Sequence, residues 1–368
     1  MKGEGAFFAA MLSASGVGIP GVERLTQGEG SAENAWKASG DTLRRWLGDR
    51  AASSLLTLRG ERPELPQEIE ASCGEKRIRI LTREDDDYPG VLKEISRPPL
   101  VLFVRGTLLP ESERVAVVGS RHGSPYGRRV AEELGAGLAA RGVTVVSGAA
   151  RGIDTAAHTG ALRTGRTVAV LGCGVDVAYP RENAKLLSEI EETGAVLSEY
   201  PPGTQPLSAF FPQRNRIISG LSRGTVVVEA AARSGSLITA ELALSEGRDV
   251  FAVPGSIYSE PSRGTNRLIQ QGAKLVTSVG DILEEYPWGK LPPSRKKEKQ
   301  AETGLPQLSE EEEAVYRLLS PETALTVDDI IYRMHGRGDA SNVAFLLLQM
   351  ELRGLVEEDE NHAYIRAR

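Results

Sequence analysis

Three short stretches of this chain combine glycine, small hydroxyls and arginine in the way that suits a grip on phosphate, and a fourth sets arginines beside aromatics. The first runs Gly119-Ser120-Arg121-His122-Gly123-Ser124-Pro125-Tyr126-Gly127. Glycine lets a backbone come close to a phosphate, serine hydroxyls donate to its oxygens, and the planar guanidinium of Arg121 offers a bidentate fork. It is neither a G-x-G-x-x-G fingerprint nor a P-loop, because no Gly-Lys-Ser/Thr follows. The second, Ser147-Gly148-Ala149-Ala150-Arg151-Gly152-Ile153-Asp154, adds Arg151. Asp154 is placed to cap a helix and to hold Arg151; Asp154 and His158 are read as structural. The third, Phe210-Phe211-Pro212-Gln213-Arg214-Asn215-Arg216, sets aromatics beside arginines. On a helix Arg214 and Arg216 point to different faces, so one is expected at a phosphate and the other against the sheet. One phenylalanine is expected to stack on a base, worth ~1–3 kcal/mol, and at least one to enter the core. The fourth, Ala230-Ala231-Ala232-Arg233-Ser234-Gly235-Ser236, again offers hydroxyls and an arginine at a helix start. Grip through arginine, serine and backbone N–H is how nucleic acids are held without reading their sequence.

Groups for covalent chemistry do not assemble in the same way. His122, His158, His335 and His362 are scattered and form no metal-ligand spacing, so neither a metal nor another cofactor is expected. There is no nucleophile elbow and no H-E-x-x-H. Gly172-Cys173-Gly174 is a weak signal, and Cys173 has no activating base beside it. Glu199 and Glu229 are expected to pair with the arginines. No catalytic residue is assigned.

The elements that must position these loops repeat from Arg114 to Tyr286: short apolar strand, glycine-rich turn, amphipathic helix. Strands are predicted over Arg114–Val118, Val143–Ser147, Thr167–Leu171, Ala195–Ser198, Thr225–Glu229, Asp249–Val253 and Lys274–Thr277. Being nearly all apolar and rich in β-branched residues, they read as parallel strands covered on both faces. Arg77–Leu81 and Leu100–Val104 extend the sheet, and helices are predicted over Gly127–Ala140 and Leu237–Ser245. The fold class is therefore α/β: an extended, Rossmann-like, doubly wound and mostly parallel sheet. Ligands of such sheets sit at the carboxyl ends of the strands, over helix N-termini, where all four stretches fall. Residues 1–70 are read as a small helical domain of helix-hairpin-helix or SAM-like type, with Gly16–Gly21 a helical turn. Residues 75–286 are read as the Rossmann-like core that carries the nucleic-acid-binding loops and 287–306 as a linker rich in proline and lysine. Residues 307–368 form a winged-helix-like domain of three helices and a short β-pair.

Composition bounds the rest. The chain has 368 residues and a formal net charge of −6, which by itself argues against a nucleic-acid partner. The distribution reverses that inference. The core carries 25 basic and 25 acidic residues, whereas residues 307–368 carry 6 and 13. Ser120–Arg129 and Tyr200–Val228 hold three arginines each and no acid, so they are the electropositive loops. Two cysteines, Cys73 and Cys173, make no disulfide framework and suit a reducing cytoplasm. No apolar run is long enough to span a bilayer, and the short apolar run Ala6–Leu12 behind Glu4 does not read as a signal peptide.

Taken together, the blocks V-A-V-V-G-S-R-x-x-S-P-Y-G from Val115, S-G-A-A-R-G-I-D-x-x-A-H from Ser147 and V-A-V-L-G-C-G-x-D-x-x-Y-P-x-E-N from Val168 resemble the DNA-processing protein A (DprA/Smf) family. F-P-Q-R-N-R-I-I-S-G-L-S from Phe211, V-V-V-E-A-A-A-R-S-G-S-L-I-T-A from Val226 and G-T-N-R-L-I-Q-Q-G-A from Gly264 continue it in the family's order. The resemblance implies sequence-independent binding and protection of single-stranded DNA in natural transformation, loading of the RecA recombinase, and a homodimer. Its DNA contacts carry over onto Gly119, Ser120 and Arg121, and then onto Arg214, Asn215, Arg216 and Arg233–Ser236. Ser124, Tyr126, Gly127, Ser147, Gly148, Arg151 and Phe211 complete the expected site. The stretch Thr265–Thr277 is expected at the sheet edge, where some of Leu268, Ile269, Leu275 and Val276 must face the core and others a partner, with Leu268, Ile269 and Leu275 assigned to a dimer interface. Nucleoside-monophosphate phosphoribohydrolases share this type of fold and are the rival reading, but their P-G-G-x-G-T loop is not matched by Arg233-Ser234-Gly235-Ser236. A dinucleotide-binding dehydrogenase lacks its fingerprint altogether.

Overall fold

The computed structural model of the chain describes residues 3–288, 308–320, 324–334, 339–359 and 362–366. Apart from its first two residues, the linker expected over 287–306 lies outside them. The described residues form two compact units. The larger takes residues 3–122 and 131–288, the smaller residues 123–130 and those from 308 onward.

The larger unit opens with six helices: α1 (Glu4–Leu12), α2 (Ile19–Glu29), α3 (Ala32–Lys37), α4 (Gly40–Leu47), α5 (Asp49–Glu61) and α6 (Leu65–Glu75). The run Gly16–Gly21 enters α2, with Gly18 at its N-cap and Pro20 in its first turn, where a missing N–H costs nothing. Next come β1 (Arg79–Thr82), α7 (Gly90–Lys93), β2 (Val101–Gly106), β3 (Arg114–Val118), α8 (Pro125–Ala140), β4 (Thr144–Ser147), α9 (Ile153–Thr164) and β5 (Thr167–Val170). They are followed by α10 (Ala184–Thr193), β6 (Ala195–Ser198), α11 (Phe210–Gly220), β7 (Gly224–Val227), α12 (Gly235–Ser245), β8 (Asp249–Ala252), α13 (Arg263–Gln270), β9 (Lys274–Leu275) and α14 (Val279–Leu283).

The nine strands make one sheet in the order β1-β2-β6-β5-β4-β3-β7-β8-β9. Pairing is parallel from β6 through to β9, and antiparallel where β2 meets β1 and β6. Alternate residues serve opposite faces, as the pleat requires. Val101, Phe103, Ala169 and Val196 pack with the six N-terminal helices in one cluster that includes Met11, Leu25, Trp36 and Leu55. Leu102, Val104, Val168, Val170, Leu197, Val227 and Ala252 pack on the other face with Leu92, Ile217, Ile218 and Ala240. The N-terminal helices thus share a hydrophobic core with the sheet.

From β3 the chain winds outward through β4, β5 and β6, then returns to lay β7 on the other side of β3. That reversal places a crevice between the carboxyl ends of β3 and β7, because the connections there leave in opposite directions. Strand β9 is one edge of the sheet, as expected of Thr265–Thr277, but is shorter than its apolar run. Leu268, expected at a partner surface, is instead in the core on α13 at 8% exposure. Ile269 is half-buried against that core, and Leu275 is exposed.

The smaller unit holds α15 (Glu310–Leu318), α16 (Val327–Arg333), α17 (Ala340–Leu352), β10 (Val356–Glu358) and β11 (Tyr364–Arg366). Ser309 with Glu312 and Thr326 with Asp329 form capping boxes that start α15 and α16. Val315, Ile330, Val343, Leu347, Met350 and Val356 form its core. Among the described residues, no helix is long and apolar enough to cross a membrane.

Candidate nucleic-acid interface

At the switch point the turn after β3 faces the first turn of α12 across a cavity of about 590 Å³. Gly119, Ser120, Arg121 and His122 line one side; Ser234, Gly235 and Ser236 line the other; Phe211, Arg214 and Asn215 from α11 lie between. The side chain of Ser234 caps α12 by accepting the backbone N–H of Ser236 at 3.4 Å. Its Oγ also lies 2.8 Å from Ser236 Oγ. A helix start lined with hydroxyls favours an anion.

The glycines here owe their identity to packing as much as to a ligand. A Cβ on Gly119 would stand 2.7 Å from Ile153 Cγ1, and one on Gly148 would stand 2.5 Å from Arg214 Nη1. The turn after β3 and the turn after β4 are therefore pressed onto α9 and α11 without room for a side chain.

The five expected arginines divide sharply. Arg121 is exposed, has no ion-pair partner among the described residues, and holds its guanidinium 5.2 Å from the ring centroid of Phe211. Arg233 is exposed and likewise unpaired among them, but it does not line the cavity. Arg214 is buried: its Nη1 donates to the carbonyl of Gly148 at 2.9 Å and to that of Val170. Desolvation pulls its pKa down to about 10, still well above neutrality, so a positive charge sits beneath the cavity floor. Arg216, on another face of α11, is ion-paired to Glu199, and both are largely buried. Both members of the pair expected to split between phosphate and sheet therefore brace the fold. Arg151 pairs with Glu182, not with Asp154.

Asp154 instead accepts the backbone N–H groups of Gly148 at 3.1 Å and Ala150 at 3.3 Å, which shapes the turn after β4. Burial pushes its carboxyl up, and the nearby charge of Arg214 opposes that. His158 is fully buried with Nδ1 2.7 Å from Thr167 Oγ1. Because that hydroxyl already donates to the carbonyl of Val145, the imidazole is the donor and its proton sits on Nδ1. Ser147 donates to the carbonyl of Val117 from inside the sheet. Ser124, Tyr126 and Gly127 lie in the first turns of α8, and Ser124 Oγ accepts the N–H of Gly127 at 3.0 Å. They do not line the cavity.

Neither phenylalanine enters a core cluster. Phe210 stacks on Tyr200 with ring centroids 4.2 Å apart, and Phe211 tilts against Tyr179 at 5.3 Å. Phe211, Tyr179 and Arg121 also line a second, adjoining cavity of about 540 Å³, together with Gly148, Arg151, Arg181 and Gln205. Tyr179 and Arg181 had no place in the expected site. Their sequence signal was the Tyr-Pro-Arg-Glu-Asn run after β5, which reads as an ordinary turn until strand order brings it beside Phe211. Cys173 is buried, which pushes its thiol up to about 11 and makes it a poor nucleophile. Among the described residues, no His, Cys, Asp and Glu cluster suits a metal.

Several known proteins are similar to this chain. A family model described as DNA recombination-mediator protein A matches residues 79–287. DNA processing protein DprA of Streptococcus pneumoniae is 54% identical over 204 residues, covering 55% of this chain and 72% of that protein. Protein Smf of Escherichia coli is 48% identical over 213 residues, 57% of each chain. Among solved structures, the X-ray structure of DprA from Streptococcus pneumoniae superposes with a TM-score of 0.67 at 42% identity, covering 76% of this chain and 98% of that one. A structure of DNA processing protein A from Helicobacter pylori, described for its single-stranded DNA binding mode, gives a TM-score of 0.52 at 31% identity and covers 56% and 97%.

Proposed function

Because this chain belongs to the DNA recombination-mediator protein A family, we propose that its switch-point cavity holds single-stranded DNA without reading base sequence. The observation that carries this reading is Arg121: an exposed guanidinium with no acidic partner among the described residues, poised beside the face of Phe211 at the cavity mouth. A phosphate bridges Arg121 and the hydroxyl-lined start of α12, and the neighbouring base lies on Phe211. The charge of Arg214 below adds attraction without contact. A duplex keeps its bases stacked and paired and brings only phosphates to such a cavity, so single strands are preferred. The single-stranded DNA binding mode described for the Helicobacter pylori protein supports the substrate class.

On this reading the protein protects incoming DNA in natural transformation and loads the RecA recombinase onto it. It acts as a homodimer, for which the exposed Leu275 on edge strand β9 and the half-buried Ile269 are the apolar candidates. The three helices and β-pair of the smaller unit form a winged-helix-like domain whose acidity suits a protein contact better than DNA. No covalent step is assigned, since Glu199 is held by Arg216 and Asp154 by backbone N–H groups. Fluorescence anisotropy with a labelled single strand tests the site. Wild-type protein binds and Arg121→Ala binds more weakly; equal affinity in a folded variant removes this cavity from the function.

A further inference from the structure

Beyond the cavity, past its α12 wall, the carboxyl end of β8 carries a second set of groups with no role so far. The turn after β8 exposes Ile257 at 76% and Tyr258 at 90%, although large apolar and aromatic side chains ordinarily hide. Tyr258 makes no ring contact and no side-chain hydrogen bond among the described residues. One helix later, Arg263 and Arg267 lie four residues apart on one face of α13, both exposed and without an ion pair among the described residues. The opposite face of α13 buries Gly264, Thr265 and Leu268.

This patch is tied to the cavity through the backbone. Ala230 donates to the carbonyl of Pro261 at 2.8 Å, and Gly264 donates to the carbonyl of Ala230 at 2.7 Å. A Cβ on Gly264 would stand 2.6 Å from that carbonyl oxygen, so the two turns are zipped together. The stretch that leads to exposed Arg233 is thus hydrogen-bonded to the start of α13, a few residues on from Tyr258. The exposed groups of these turns include Arg233, Ser256, Ile257, Tyr258, Arg263 and Arg267, with Glu260 as the acid among them.

We propose that Tyr258, Arg263 and Arg267 form a second nucleotide-binding platform, on which the single strand leaving the switch-point cavity stacks a base and rests its phosphates. This rests on the reading of the cavity as a single-strand site. The pairing of an exposed aromatic face with unpaired arginines matches the way sequence-tolerant single-strand grooves are built. A second copy of this chain is a poorer occupant, because a two-fold contact here would set like arginines against one another.

The full-length protein is titrated with labelled oligothymidylates of ~4 and ~16 nucleotides, spanning the usual range of single-strand site sizes. Wild type binds the longer strand more tightly than one cavity accounts for. Tyr258→Ala weakens the longer strand about fivefold or more, as expected for one lost stack, and leaves the shorter strand unchanged. Tyr258→Phe keeps wild-type affinity. The double variant Arg263→Gln/Arg267→Gln flattens the salt dependence for the longer strand by about 0.7 for each phosphate it no longer neutralises. Unchanged long-strand affinity in Tyr258→Ala overturns the platform, as does an equal loss for both lengths. A fall in molar mass of free Tyr258→Ala by light scattering assigns the patch to a second copy and also overturns it. If Arg121→Ala abolishes binding of both lengths while Tyr258→Ala changes neither, the cavity stands and the platform alone fails. If wild type binds neither length, both fail.

Discussion

At the scale of single residues, Arg121 meets solvent at the cavity, Arg151, Arg214 and Arg216 are held by partners within the fold, and Arg233 is exposed away from the cavity. Arg121→Ala removes a charge-assisted hydrogen bond and is expected to weaken single-strand binding by ~1.5–3 kcal/mol. Arg121→Lys is expected to recover part of it, since an ammonium restores charge but not the planar fork. Anisotropy titrations of the two variants check both. Arg214→Met, by contrast, is expected to act on stability, because it strands the carbonyls of Gly148 and Val170 in the interior. A lower melting temperature that fully accounts for any loss of DNA affinity is the signature of that role. The types at these positions were legible in the sequence, but their partners were not. Arg216 meets Glu199 across 17 residues and Arg151 meets Glu182 across 31, pairings that follow from strand order, not from local spacing.

The buried imidazole of His158 makes a prediction at the level of the element it secures, where α9 meets β5. Its Nε2 is buried without a hydrogen-bond partner, so protonation there costs more than in water, and burial pulls the pKa from 6.5 to about 3. The unfolded chain therefore binds this proton more readily than the folded one. Stability from this site is complete above pH 6.5 and declines as pH falls from 6.5 toward about 3. Denaturant melts of wild type and His158→Gln across that window check it: the variant's stability falls less steeply with acid, and parallel curves refute the assignment. The elements themselves were largely readable. Strands such as β3 and β6 are short, mostly apolar runs, and the structure puts them at the residues expected. The second cavity was not readable, because Tyr179 meets Phe211, and Arg181 joins the same lining, only through the order in which strands lie side by side. Nor was the burial of Leu268, since on an eight-residue helix apolar neighbours at 268 and 269 do not say which one faces the sheet.

For the whole molecule, the charge asymmetry and the shared core set what can be removed. Ending the chain after Trp288, whose ring stacks on Tyr286 at 4.1 Å, deletes the acidic C-terminal unit and is expected to leave single-strand affinity nearly unchanged. A large loss with the core still folded would place binding in the deleted part. A cut at residue 75 is a different matter, because it strips α1–α6 from Val101, Phe103 and Val196 and exposes that face of the sheet. Assembly is tested by Ile269→Glu: light scattering is expected to show a dimer for wild type and a monomer for the variant, and a monomeric wild type at micromolar concentration refutes the dimer. Whether the protein grips single strands without regard to sequence is decided by titrating the full-length protein with labelled single-stranded and duplex DNA of the same sequence over a range of salt. Clear preference for the single strand, with log affinity falling against log salt by about 0.7 per phosphate neutralised, is the predicted result; equal affinity for the two forms at moderate salt would contradict it.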